Sequence, residues 1–275
     1  MKPEMTRRNA LAALGTAGLG GLLAACGGND GDADDASSTS SSTTSSTTAA
    51  DGATSTAAAP PAAGSDLAAL FEDATSCSLT PEETEGPYYI DVDSIRSDIR
   101  DGRPGTDLRV GIRVLDESCE PVPDAVVEIW HCDGLGTYSG FESQSQQANG
   151  DPGASPDNPS TDSTRYLRGG QVTNADGIAQ IRTIYPGWYT GRTVHIHSKV
   201  HINNDEVLTT QLYFDDQVSD AVFGSADPYA QHTGRDVTNE NDGIFHRENV
   251  LTLAEDTGAD GSGYVGVITF NVDRG

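Results

Sequence analysis

Apolar and polar residues alternate through most of the second half of this chain. The alternation is clearest in Leu108-Arg-Val-Gly-Ile-Arg-Val-Leu115, and similar β-branched runs cover 125–130, 178–184, 193–200, 207–214 and 263–272. Successive side chains of an extended chain point to opposite faces, so each run predicts a strand with one face turned to a core. Even spacing and intervening turn residues, such as Asn174-Ala175-Asp176-Gly177, point to an all-β fold. The expected architecture is an antiparallel β-sandwich with long loops and few short helices. Helical spacing is confined to 66–73 and 216–223. The stretch 144–164, rich in Gln, Gly, Pro, Ser, Asp and Asn, predicts a long loop. As part of a wider 139–165 loop that starts just after Tyr138, it is expected to border the mouth of any site there.

The first quarter reads differently. Residues 1–26 open with the twin arginine Arg7-Arg8 and continue through a short, glycine-interrupted apolar run to Leu23-Ala24-Ala25-Cys26. This resembles a twin-arginine export signal joined to a lipoprotein cleavage site, with Cys26 as the lipid-modified residue. Residues 27–66 are Ser, Thr, Ala, Gly and Asp with almost no large apolar side chain. Such a segment cannot bury enough surface to offset its ordering entropy, which predicts a disordered tether. The folded domain is therefore expected over 67–275, held outside the cytoplasm and touching a membrane only through its lipid.

A formal net charge of -26 argues against nucleic acid as a partner. Lysine occurs only at Lys2 and Lys199. Beyond Cys26 the cysteines are Cys77, Cys119 and Cys132, an odd number for an exported chain, and the expectation is one disulfide with one thiol left over. Cys119 with Cys132 and Cys77 with Cys119 are both open as pairings.

Candidate chemistry centres on Tyr185-Pro-Gly-Trp-Tyr189-Thr-Gly-Arg192-Thr-Val-His195-Ile-His197. On a strand, His195 and His197 point the same way and two imidazoles converge. Tyr189 sits on a Pro-Gly turn just upstream, and Arg192 is a fixed cation between them. Trp130-His-Cys-Asp-Gly-Leu-Gly-Thr-Tyr138 supplies a second glycine-framed tyrosine. Two neutral nitrogen donors with two ionisable phenols suit a hard, high-valent metal, and ferric iron is the natural candidate.

These segments, together with Arg168-Gly-Gly-Gln-Val-Thr173 and Thr210-Gln-Leu-Tyr-Phe214, resemble the intradiol ring-cleavage dioxygenases over roughly 77–272. Within that family the likeness is to the protocatechuate 3,4-dioxygenase type and its exported relatives. The resemblance implies a non-haem Fe(III) held by Tyr138, Tyr189, His195 and His197, with Tyr138 and His195 equatorial, Tyr189 and His197 axial, and Tyr189 the ligand that substrate displaces. It implies Arg192 as the cation that stabilises developing negative charge and Gln211 as a residue near the ring and the oxygen path. The expected substrates are a small aromatic diol and O2, and the expected product is a cis,cis-muconate-type diacid carrying both oxygen atoms.

Thr84-Glu85-Gly86-Pro87-Tyr88-Tyr89 resembles the segment leading into the family's core, which makes Tyr88 a candidate for substrate contact. Trp188, next to Tyr189, is a second candidate pocket wall. Trp130 reads as packing, His201 as a surface or supporting residue, and His131, His232 and His246 as non-ligands. Two competing functions stay open: an exported β-sandwich that binds carbohydrate or protein without turnover, and an oxygenase of the same architecture acting on a non-catecholic substrate. No helical N-terminal dimerisation segment of the kind seen in catechol 1,2-dioxygenase relatives is evident, which leaves the oligomeric state open.

Overall fold

A computed structural model describes residues 67, 70, 71, 78–147, 159–225, 227–256 and 263–274. The expected signal, Cys26, the tether and most of the 144–158 stretch lie outside the described residues. Among the described residues eight strands run in chain order: β1 (Asp107–Asp116), β2 (Val126–Trp130), β3 (Arg168–Val172), β4 (Ile178–Ile184), β5 (His195–Ile202), β6 (Asp205–Tyr213), β7 (Thr252–Asp256) and β8 (Gly263–Val272). They form two four-stranded sheets, ordered β4-β1-β8-β7 and β3-β2-β5-β6.

The sandwich core lies between the sheets. Leu108, Val110, Ile112 and Val114 face it from β1, Val127 and Ile129 from β2, Ile196 and Val200 from β5, and Phe270 and Val272 from β8. Each such side chain contributes about 1.5–3 kcal/mol when fully removed from water. A smaller core lies on the far face of the first sheet, where helical Leu67 and Phe71 cover Val265 and Val267. Gly111 of β1 leaves them room, because a β-carbon there would come within 3.2 Å of Leu67 and 3.3 Å of Phe71. Among the described residues no helix is long and apolar enough to cross a membrane.

The sandwich is not wholly antiparallel: β1 pairs in parallel with β8 over its full length, while the other pairings are antiparallel. Parallel partners are brought together by a long crossover, here most of the chain, which no local pattern announces. Two strands were not expected. In β3, Arg168-Gly-Gly-Gln-Val172 has Val172 as its one β-branched residue; the 95–99 segment packs directly on its glycines, and a β-carbon at Gly169 would meet Arg96 and Ile99 at 3.0 Å. Strand β7 is a short edge with weak burial. The expected loop after Tyr138 begins instead with a short helix, α1 (Glu142–Gln147). Helix α2 (Asp216–Ser225) extends the expected one and starts where the Asp215 carboxylate accepts the Gln217 N–H at 2.8 Å.

Asn174 closes the expected turn, its side-chain oxygen accepting from the backbone N–H groups of Asp176 and Ile178, with Gly177 at φ +73°. Cys119 is disulfide-bonded, whereas Cys132 is a free, buried thiol. Cys119 with Cys132 is thereby excluded, and the partner of Cys119 lies outside the described residues.

The second sheet positions the site. Its inward face feeds the core, and its outward face carries one row of directly opposed residues: Arg168, Trp130, His197 and Gln211 on β3, β2, β5 and β6. The β5–β6 hairpin turns through Asn203 and Asn204, both at positive φ (54° and 69°), the geometry a two-residue mirror-image turn requires.

Candidate metal centre

His195 and His197 share the outward face of β5, with ring centroids 4.8 Å apart. The Nδ1 of His195 lies 2.7 Å from the Thr193 carbonyl, which can only accept, so Nδ1 carries the proton and Nε2 presents its lone pair. Two phenol oxygens meet that lone pair, Tyr189 at 3.1 Å and Tyr138 at 3.4 Å. His197 is held by packing alone. Trp130 lies flat against one face of its ring, and Gly86 approaches the ring so closely that a β-carbon there would stand 3.0 Å from Cε1. Among the described residues neither ring nitrogen of His197 has a hydrogen-bond partner, and Nδ1 is buried.

The phenols come from two turns. Asp133 organises the first, its Oδ1 accepting the N–H groups of Leu135 and Thr137 at 3.0 Å each. Gly136 at φ +82° passes so close to the Trp188 carbonyl that no side chain fits. This lodges Tyr138 fully inside, stacked on Tyr88 with ring centroids 4.5 Å apart. The second turn brings Tyr189 edge-on to Tyr138, with centroids 5.8 Å apart.

Burial sets the protonation states. It pushes the Tyr138 phenol well above its ordinary range, and the neighbouring Tyr189 adds to the rise. Tyr189 is pushed up to about 12 by burial, against the pull of the Arg192 cation. Burial likewise holds both imidazoles far below their ordinary range, with Arg192 adding for His195 and the His195 ring for His197. Four neutral donors therefore face one another where only a strong positive charge would let the phenols ionise. Among the described residues no group of three or more His, Cys, Asp or Glu side chains is placed to hold a metal, and the protein donors beside the histidine pair are the two phenols. Two phenols, the bare Nε2 of His195 and the unpartnered ring of His197 fit a hard trivalent ion such as ferric iron.

Arg192 lies beside the donors. Its Nε donates to Asp242 at 2.8 Å and its Nη2 to the Gln211 side-chain oxygen at 2.6 Å. The Gln211 amide in turn donates to the Thr84 carbonyl at 3.0 Å. Tyr88 belongs to the aromatic cluster of Trp130, Tyr138, Phe141 and Tyr189, and its ring packs on a donor phenol. Trp188 turns the other way, into the main core, its indole N–H donating to the His232 carbonyl at 3.1 Å.

The remaining histidines stand apart from the donors. Both ring nitrogens of His131 are occupied, His246 is paired with Glu83, and His201 lies 3.7 Å from Glu128. Sequence reading missed Asp242, the ring-on-ring support from Trp130 and the close approach of Gly86. Gly86 stood inside a quoted motif, while Asp242 lies in an unpatterned stretch with nothing to mark it.

A β-sandwich presenting two tyrosines and two histidines from three chain segments at one buried point defines a narrow class of oxygenase-like folds. Residues 84–243 match a family model described as dioxygenase. The chain belongs to the intradiol ring-cleavage dioxygenase family. An intradiol ring-cleavage dioxygenase from Tetranychus urticae is 35% identical and superposes with a TM-score of 0.64, covering 72% of this chain and 95% of that one. Catechol 1,2-dioxygenase 2 of Acinetobacter lwoffii is 31% identical over 158 residues, 50% of this chain and 51% of that protein. Chlorocatechol 1,2-dioxygenase of Pseudomonas putida is 28% identical over 155 residues, 48% of this chain and 52% of that protein. The chain spans about half the length of these curated relatives.

Proposed function

We propose that this protein is a non-haem Fe(III) dioxygenase that opens a catechol-type ring between its two hydroxylated carbons. One ring C–C bond and the O–O bond break and both oxygen atoms enter a cis,cis-muconate-type diacid, so no external reductant is needed. The observation that carries this reading is the convergence of both phenol oxygens on the bare Nε2 of His195, beside an unpartnered His197. Tyr138, Tyr189, His195 and His197 would hold the iron, which supplies the Lewis-acid pull that makes a chelated diol reactive toward O2.

The protein's own groups divide the remaining work. Tyr189, whose pKa burial raises and the Arg192 cation pulls down, would as a metal-bound phenolate take a diol proton on its oxygen and become a neutral phenol beside Arg192. Arg192, fixed by Gln211 and Asp242, offers a cation where negative charge grows on the substrate. Gln211 sets the height of that cation above the sheet. Tyr88, Trp130 and Phe141 wall the donors with aromatic surface and keep water from competing for the site.

The same reading places the enzyme outside the cytoplasm, lipid-anchored through Cys26. The twin arginine, the apolar run ending at Cys26 and the disulfide at Cys119 all support export.

The test is metal analysis of the purified protein, its visible spectrum, and oxygen uptake with catechol, protocatechuate and hydroxyquinol. Stoichiometric iron, a tyrosinate-to-iron absorption band and a ring-opened diacid are expected. Colourless protein that cannot take up ferric iron would end the proposal.

A further inference from the structure

We propose that Asp242 is the positioning residue for Arg192, a role that rests on the ring-opening reading above. The stretch 236–242 follows α2 and reaches back to the turn between Tyr189 and His195 at three points. The Gly191 N–H donates to the Asp236 carboxylate at 3.2 Å, the Thr193 hydroxyl donates to Asn239 at 2.8 Å, and the Thr193 N–H donates to Asp242 Oδ2 at 2.8 Å. Asn239 is itself tied to the framework through the Phe214 carbonyl at 2.7 Å. The turn that carries Arg192 is thus clamped from outside along its length.

Asp242 is the fixed member of its pair with Arg192. Oδ1 accepts the N–H groups of Ile244 and Phe245 at 2.7 and 3.1 Å, and Oδ2 accepts those of Thr193 and the Arg192 Nε at 2.8 Å each. Three backbone donors hold the carboxylate, and its side chain is wholly shielded from solvent. A long arginine stem has many rotamers and a carboxylate pinned by backbone has one, so the aspartate dictates where the guanidinium lies. With Nη2 held by Gln211, two edges of the guanidinium plane are fixed, and among the described residues Nη1 makes no hydrogen bond. That free edge is what a bound substrate can use. Among the described residues Asp242 hydrogen-bonds to none of the four metal-donor side chains; its hold on the site runs through Arg192, beside a minor direct charge effect that adds to burial in raising the Tyr189 pKa.

A double-mutant cycle tests this with Asp242→Asn, Arg192→Gln and the pair. Asparagine keeps the size and one acceptor oxygen but removes the charge and turns the other acceptor into a donor. We expect Asp242→Asn to lower kcat/KM for the best catechol-type substrate on the order of 10- to 100-fold, the scale of a misplaced catalytic group. In the Arg192→Gln background the same change should cost less than about twofold, the mark of one shared interaction. Iron content should not change.

Equal penalties in both backgrounds, or loss of iron along with activity, would make Asp242 merely structural and overturn the proposal. A rise in activity would mean that Asp242 chiefly cancels the arginine charge, and would overturn it as well. If Asp242→Asn does not fold, Asp242→Glu, which keeps the charge but displaces it by one methylene, takes its place with the same expectation.

A wild-type protein that binds iron yet opens no such ring would refute the ring-opening reading alone. Crystal structures of wild type and variant then decide the positioning by themselves. The guanidinium should leave Gln211 in the variant, and an unmoved guanidinium would overturn the role.

Discussion

Trp130 lies flat on His197, with ring planes 7° apart and centroids 5.0 Å apart. Among the described residues the histidine has no hydrogen bond to hold its ring, so orientation at this donor comes from the Trp130 stack and the close approach of Gly86 to its Cε1. Trp130→Ala should cost about 3–5 kcal/mol of stability through the cavity it leaves. It should also reduce iron occupancy at saturating iron, whereas Trp130→Phe retains most of it. Metal analysis after dialysis checks both; full iron occupancy in the alanine variant would remove the orienting role.

Gly86→Ala tests the other wall. The position has φ +74°, and the new methyl would sit 3.0 Å from the His197 ring carbon, so strain and displacement act together. A loss of about 1–3 kcal/mol in chemical unfolding is expected. The visible band of the iron-loaded protein should shift, and an unshifted band with full activity would show that His197 has room to spare.

The four donors should not respond alike to removal. His195→Ala takes away the nitrogen on which both phenols converge and is expected to abolish iron binding. Tyr189→Phe should keep part of the iron, shift the absorption band and slow the step in which substrate loses its proton, read as a larger loss in kcat than in iron content. Equal, mild effects from both substitutions would contradict the assigned roles.

His131 makes the iron-free protein acid-sensitive. Burial lowers its pKa from the ordinary 6.5 to about 4, with Cys132 and Thr183 oxygens 2.7 Å from its two nitrogens. A group whose folded pKa is depressed contributes stability that is present above its unfolded value and lost as pH falls toward the folded one. Between pH 6.5 and about 4 the unfolded chain takes up the proton first, and stability should fall by about 1.4 kcal/mol per pH unit from this residue. Urea titrations at pH 7.5 and 4.5 measure the slope, and His131→Gln should lower it by this residue's share of about 1.4 kcal/mol per pH unit, leaving that of His195 and His197.

Cys132 should be inert. It is buried with its thiol pKa pushed up by burial and by the nearby Asp133 charge, so little thiolate exists at neutral pH. A thiol reagent should leave it untouched in native protein and modify it after denaturation. Rapid native labelling at Cys132, located by mass spectrometry, would contradict its burial.

The strands with strict alternation were legible because a period of two is written into the residues themselves, and six of the eight stand where the pattern put them. The His195–His197 pair was legible for the same reason: a strand needs only spacing to turn two rings one way. Strand β3 was not, because its glycines answer to the chain packed across them, which no local window contains. The parallel match of β1 with β8 joins the two ends of the fold, beyond the reach of any pattern. Asp242 was invisible because its role depends on a meeting with Arg192 that only the folded chain creates.

The Asn203–Asn204 corner, with the register shift at Val200/His201, sets which residues of β6 stand opposite β5. Sliding one strand a single step past the other would turn Gln211 into the greasy interior and bring Leu212 out over the donors. Two small amides at the tip of a hairpin therefore govern whether an amide or an aliphatic chain greets the incoming ring.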